Sequence, residues 1–251
     1  MSRTAHEADR DGTRTPHGSA AGPRRPWVVG VSGASGTPYA ASVLRALLRA
    51  GRPVDLVISR AARLTLLDET GIRLRDAHWR QDVADWLAVN PGTGKPDPAL
   101  ADGVPADDPE LLHYWPAGDL AAGPSSGSYP ARGMIVAPAS AASVAGMALG
   151  LSKDLLQRAA SVTLKERRPL VVVVRETPLS GPVLRQLAEL DAAGAVIVPA
   201  APGFYAGPAT VLDLVDFVAG RALEAAGVAD APALYRRWTG ELGAARRNTS
   251  A

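Results

Sequence analysis

The sequence predicts an α/β fold: a doubly wound, mostly parallel sheet with helices on both faces. Three observations lead to it. Short β-branched runs alternate with helix-length amphipathic segments along most of the chain. One run, "PLVVVV" (169–174), is continuously apolar, as a strand covered on both faces must be. A turn with three glycines, "VVGVSGASGTPYAAS" from Val28 to Ser42, joins the first run to the first helical stretch. In such sheets that turn lies beside the ligand.

In chain order, "WVVGVS" (27–32) is strand-like and leads into a helix from about Thr37 to Ala50. "PVDLVIS" (53–59) is the second strand, and "RAARLTLLDET" a helix that Gly71 ends. "GMIVAPAS" (133–140) is the third strand, followed by "AASVAGMALG" and "DLLQRAASVTLKE" with helical spacing. After "PLVVVV" come the helix "GPVLRQLAELDAAG", the strand "AVIVPA" (195–200) and the long final helix "TVLDLVDFVAGRALEAAG". This order is that of a Rossmann- or flavodoxin-like domain, expected over 26–240. The Pro-, Gly- and Asp-rich segment at about 78–124 is expected to be an irregular surface insertion with short helical pieces such as "RQDVADWLAV". Residues 1–25 are expected to form a disordered basic tail and 241–251 a C-terminal tail.

Composition narrows the chemistry. The chain has 251 residues, 47% of them hydrophobic, enough for a sizeable core. No apolar run reaches the roughly 18–20 residues of a membrane span, and the first 25 residues hold no apolar signal region. A cytoplasmic protein is therefore expected. With no cysteine, thiol nucleophiles, disulfides and zinc–thiolate sites are excluded. The net charge of +2 resides in the first 25 residues, where five arginines face Glu7, Asp9 and Asp11. The balanced remainder argues against a nucleic-acid groove. The four histidines, His6, His17, His78 and His113, all fall in the tail or the irregular segment, which disfavours a Ser-His-Asp triad or a His-ligated metal.

Ligands of a doubly wound sheet bind beyond the carboxyl ends of its strands. Those ends carry Ser32 to Gly36, Ser59, Pro138 to Ser140, Arg175 to Thr177 and Pro202 to Tyr205. Hydroxyls, an arginine, a glutamate and a tyrosine thus meet at one edge. Gly30, Gly33 and Gly36 give G-x-x-G-x-x-G in place of the dinucleotide pattern, and the second strand ends in Ser59-Arg60 without an acid for a ribose. A mononucleotide such as FMN fits better than NAD, its phosphate taken by backbone N–H groups and hydroxyls. A tight turn without a ligand is the alternative. Arg158 and Lys165, seven apart, share a helix face as either a solvated edge or an anion clamp. Arg221 stands in an otherwise apolar helix, Glu69 near a helix end, Glu176 beside Arg175, and Tyr205 in a loop. Glu69 and Glu176 are the candidate acid/base groups. The bland alternatives are solvation for Glu69, a local ion pair for Glu176 and core cover for Tyr205.

"GVSGASG", "ISRAARLTLLDET", "SSGSYPARGMIVAPAS", "LLQRAASVTLKERRPLVVVVRETPL" and "GAVIVPAAPGFYAGPATVLDLVDFV" together resemble the flavin prenyltransferase family, from about Trp27 to Trp238 apart from 78–120. The resemblance implies transfer of a dimethylallyl group from dimethylallyl monophosphate to N5 and C6 of reduced FMN. It implies prenylated FMN for a partner decarboxylase, no metal, and a homododecamer with sites formed between subunits. It places Gly33, Ala34, Ser35, Ser59, Ser140, Ala141, Ala142, Ser143 and Arg175 on FMN, and Lys165, Tyr205, Arg221 and Arg158 on the dimethylallyl phosphate. Glu69, Glu176 and Ser35 match the acid/base positions, with Glu176 expected to assist phosphate departure and Glu69 to move protons during ring closure. A flavin-dependent cysteine decarboxylase of related fold would use a histidine base and "PASMN", where this chain has "PASAA". A non-catalytic FMN-binding or regulatory protein is the remaining alternative, and the joint presence of both glutamates and the cationic residues argues against it.

Overall fold

The computed structural model describes residues 24–240. The expected tails lie outside the described residues, except for Arg24 and Arg25. Arg24 is no free tail residue: its Nη1 donates to Asp55 at 2.7 Å, and Asp55 is fully buried.

The elements in chain order are β1 Trp27–Val31, α1 Thr37–Arg49, β2 Val54–Ile58, α2 Arg60–Thr70, α3 Trp79–Leu87, α4 Pro98–Ala101, β3 Leu112–Pro116, β4 Gly133–Ala139, α5 Ala141–Ala148, α6 Leu155–Lys165, β5 Leu170–Val174, α7 Gly181–Ala192, β6 Val196–Pro199 and α8 Val211–Ala225. The six strands form one sheet in the order β3-β2-β1-β4-β5-β6, every neighbouring pair parallel. Chain order reverses between β1 and β4, which makes the crevice beyond these two strands the switch point of the sheet.

Strand side chains alternate between two cores. Val29, Val31, Leu56, Ile58, Val171 and Val173 face α1, α2, α3 and α8. Val28, Val57, Met134, Val136, Val172 and Val174 face α5, α6 and α7. The continuous apolar runs therefore serve both faces, and β1, β2, β4 and β5 are buried at every residue. Helix ends are written locally. Ser59 caps α2 by accepting from Ala62 N, and Gly71 ends it at φ +73°, a conformation that favours glycine. Asp154 caps α6, and Thr210 with Asp213 forms a reciprocal capping box on α8.

The segment at 78–124 departs from the expectation of an irregular insertion. The helical piece expected at "RQDVADWLAV" is there as α3, but its Val83, Trp86 and Leu87 join the core, and an unexpected strand, β3, pairs with β2 from Leu112 to Pro116. The short strand "LHYWP" was hidden by its setting: a five-residue run ending in Pro116, with glycine- and proline-rich turns on either side, carries little periodic signal. Arg75 closes over Asp82 of α3, donating from its backbone N at 2.8 Å and from its guanidinium. Those bonds hold the Asp82 carboxyl below its usual range.

Candidate active site

Ser32 ties the two sides of the switch point. Its Oγ donates to Pro138 O at 2.9 Å and accepts from Ser140 N at 2.7 Å, so the β1 and β4 loops are fixed to each other. The side chain is fully buried. Gly33 lies where a Cβ would come within 2.4 Å of the Ala61 Cβ, so only glycine lets this turn approach the start of α2. Gly36 takes φ +113° immediately before α1.

Around that turn the serines act as caps. Ser59 sits at the head of α2, and Ser140 at the head of α5, where its Oγ accepts from Ser143 N at 3.3 Å and donates to Ser143 Oγ at 3.2 Å. The first-turn N–H groups of Arg60, Ala61, Ala141 and Ala142 have no partner among the described residues. Ala34 is buried and Ser35 exposed. Arg175 reaches back from β5, its Nε donating to Ser35 O at 3.0 Å. Gly33, Ala34, Ser35, Ser59, Ser140 to Ser143 and Arg175 therefore share one edge of the sheet, as expected.

Glu69 is not a solvated surface group. Its Oε1 accepts from Gly36 N at 2.7 Å, and its Oε2 accepts from Thr37 N at 2.8 Å and Thr37 Oγ1 at 2.6 Å. Gly36 has no side chain with which to cap α1, and Glu69 supplies that cap from the far end of α2. The anion position at the head of α1 is therefore taken by a carboxylate of the chain itself. Tyr39, one turn into α1, stands in the field of both Arg175 and Glu69; burial pushes its phenol above the ordinary value.

Glu176 is exposed and forms no ion pair with Arg175; its Oε1 accepts only from Thr177 N at 3.2 Å among the described residues. Its carboxylate is open to a ligand.

The four residues expected to hold the dimethylallyl phosphate fall into two groups. Lys165 pairs with Glu166 and lies over Gly127, while Arg158 Nε donates to Ser125 O at 3.0 Å; both therefore border the 125–127 turn. Tyr205 and Arg221 lie elsewhere. The Tyr205 ring stacks edge-on against Phe217 at 5.6 Å and Trp238 at 5.8 Å. Arg221 pairs with Glu224 at 2.5 Å and meets Tyr235 Oη at 3.3 Å. These contacts raise the Arg221 pKa, Tyr235 first. Burial pushes the Glu224 carboxyl up, but hydrogen bonds from Tyr235 and Arg221 outweigh it and leave the group below its usual range.

The sheet separates the two groups. α6 packs on one face and α8 on the other. Lys165 ends α6 just before β5 begins, so it stands at the amino edge, roughly 17 Å of strand away from the serine-lined edge. Sequence spacing placed Arg158 and Lys165 together correctly, but it carried no sign of this separation. It also left Thr37, Tyr39, Glu224, Tyr235 and Trp238 unassigned. Of these, only the Arg221–Glu224 spacing of three residues was readable in advance.

A family model described as flavoprotein matches residues 15–223. The flavin prenyltransferase UbiX of Streptomyces coelicolor is 69% identical over 221 residues, which cover 88% of this chain and 98% of that protein. The Synechocystis flavin prenyltransferase UbiX is 40% identical over 224 residues, covering 87% and 98%. A UbiX crystal structure in complex with FMN and dimethylallyl pyrophosphate superposes with a TM-score of 0.69 at 37% identity, covering 87% of this chain and 99% of that one. A dodecameric FMN-dependent UbiX-like decarboxylase from Escherichia coli O157:H7 gives 0.67 at 36% identity, covering 86% and 100%. With a serine-lined switch point, the glutamates, the cations and this identity over nearly its whole described length, the chain belongs to the flavin prenyltransferase family.

Proposed function

We propose that the protein joins a dimethylallyl group from dimethylallyl monophosphate to N5 and C6 of reduced FMN, forming prenylated FMN for a partner decarboxylase. The observation that carries this reading most strongly is the edge where Gly33, Ser59, Ser140 to Ser143 and Arg175 meet. Its donors suit a flavin phosphate. The heads of α2 and α5 offer N–H groups unpartnered among the described residues, beside serine hydroxyls, and the close approach at Gly33 keeps side-chain bulk out of the space between them. The head of α1, closed by Glu69, is not part of that cradle. The flavin, when bound, supplies the nucleophilic N5 and C6.

The chain's own residues then act on the donor. Breaking the allylic C–O bond leaves negative charge on the phosphate and positive charge on the five-carbon fragment. Lys165, Arg158 and Arg221, with the Tyr205 hydroxyl, hold the departing phosphate, and preorganised cations stabilise it most as its charge develops. Glu176, open at the strand end, is placed to hand a proton to the leaving oxygen. Glu69, tied to Gly36 and Thr37, fixes the turn that carries Ser35, and its carboxylate would accept the proton that the flavin ring carbon gives up on ring closure.

Because the sheet stands between Lys165 and Arg221, one chain does not bring its own clamp together. The site is completed by neighbouring copies, consistent with the dodecamer of the Escherichia coli neighbour. The test is anaerobic incubation of the protein with reduced FMN and dimethylallyl monophosphate, then mass spectrometry of the extracted flavin. A flavin heavier by one C5H8 unit, lost in Lys165→Ala, is the expected result. Tightly held but unchanged FMN would refute the transferase and favour a flavin-binding role.

A further inference from the structure

The chain after α8 folds back against the Arg221 side of the molecule. Arg236 donates to Tyr205 O, Tyr235 Oη donates to Glu224 Oε2 at 2.7 Å, and the Trp238 ring lies edge-on to Tyr205 at 5.8 Å. Tyr205, Arg221, Glu224, Tyr235, Arg237 and Trp238 together line a cavity of about 480 Å³. Tyr205 and Arg221 are the residues assigned above to the donor phosphate, so this cavity belongs to that same site. Its other wall carries a second guanidinium, that of Arg237.

Glu224 sets the two guanidiniums side by side. Its Oε2 pairs with Arg221 Nη1 at 2.5 Å and its Oε1 with Arg237 Nη2 at 2.9 Å. Each arginine has five N–H donors in a planar fork. Among the described residues, Arg221 is engaged only through Nη1 and Arg237 only through Nη2. The side chains are 54% and 75% exposed, so the remaining N–H groups are open to a ligand. One carboxylate between two guanidiniums leaves the group net positive. An anion that accepts from both forks answers that charge, and a phosphate has the oxygens to do so.

The geometry points to Arg237 as a further substrate-binding residue, whose guanidinium shares the phosphate of the dimethylallyl donor with Arg221 and the Tyr205 hydroxyl. Glu224 holds both forks and does not itself touch the donor. The inference rests on the reading of Tyr205 and Arg221 as holders of that phosphate. It extends the donor site into the segment that follows α8.

The test is calorimetric titration of the full-length protein with dimethylallyl monophosphate and, separately, with inorganic phosphate. Oxidised FMN is bound throughout, so that binding is read without turnover. Arg237→Ala is expected to weaken both ligands about tenfold, the loss of one charge-assisted contact, while its thermal melt matches the wild type. Arg185→Ala, at an exposed position on α7 across the sheet, is expected to weaken neither. Adding Arg237→Ala to Arg221→Ala should weaken binding beyond Arg221→Ala alone, because the two guanidiniums contact the phosphate separately. The inference is overturned if Arg237→Ala binds both ligands as the wild type does, or if Arg185→Ala weakens them equally. It is also overturned if the double variant binds no worse than Arg221→Ala, the result expected of a residue that acts only through Glu224. A wild type that binds neither ligand, or Arg221→Ala with undiminished affinity, overturns the donor-site reading and the inference with it.

Discussion

Replacing Glu69 by glutamine changes one atom type and tests what the carboxylate does. In the wild type both oxygens accept, from Gly36 N, Thr37 N and Thr37 Oγ1 at 2.6–2.8 Å. A glutamine retains one acceptor and turns an amide NH2 toward a backbone N–H that must then go unpaired. Charge-assisted hydrogen bonds contribute about 1.5–3 kcal/mol against roughly 0.5–1.5 for neutral ones. Loss of the negative charge at the head of α1 removes about 0.3–1 kcal/mol more. The sum is about 2–4 kcal/mol, and at roughly 2–4 °C per kcal/mol for a chain of this size Tm should fall by about 5–15 °C. The assay is a thermal scan without flavin, followed by FMN binding and turnover. Glu69→Gln should lose stability and FMN retention together, because the turn loosens in the empty protein. An unchanged Tm with abolished turnover would refute the capping argument and make Glu69 a purely chemical group.

Three further outcomes follow from the same structure. Gly33→Ala should drive its Cβ against Ala61, at a cost of about 1–3 kcal/mol for overpacking, and release FMN on gel filtration, read as the ratio of flavin to protein absorbance. Lys165→Ala and Arg221→Ala, each inactive alone, should regain activity when mixed under conditions that exchange subunits, because a mixed assembly contains sites with neither substitution; persistent inactivity would place both residues in one chain's site. Tyr114 is held by Asp76 and Arg63, and burial with the Asp76 hydrogen bond raises its pKa from 10.0 to about 12. Its folded pKa exceeds the unfolded one, so its stabilisation is complete below pH 10 and fades as pH rises through 12. Tyr114→Phe should therefore cost about 1 kcal/mol at neutral pH, and its gap from the wild type in urea melts should close in that alkaline window.

The strands and helices that were legible are those whose signal is local. "LVVVV" reads as a buried strand because both faces are covered, and α2 stops at Gly71 because φ +73° suits glycine. β3 was not legible, because an edge strand of five residues is defined by its partner β2 and not by its own periodicity. The same reason hid the role of Arg24, whose partner Asp55 lies on a strand that reads as uniformly apolar apart from that one carboxylate. A charged residue inside such a run is a sign that something comes to meet it, but the sequence does not say what.

The candidate site divides along the same line. The placing of Gly33, Ser59, Ser140 and the Arg158–Lys165 face was readable from position alone, because each is set by its own turn or helix. Glu69 was readable as a candidate, but its engagement was not, since its partners lie 32 and 33 positions upstream and meet it only because α1 and α2 run side by side. Lys165 and Arg221 show the stronger limit. Helical spacing says which residues share a face, and strand order says which loops share an edge, but neither says that a catalytic group must serve the subunit that carries it. Once α6 and α8 are assigned to opposite faces of the sheet, a common phosphate for Lys165 and Arg221 requires a second copy of the chain. Assembly is then a condition of the proposed chemistry, and a monomeric variant that still binds FMN should retain the cradle at Gly33 and Ser59 while losing the clamp.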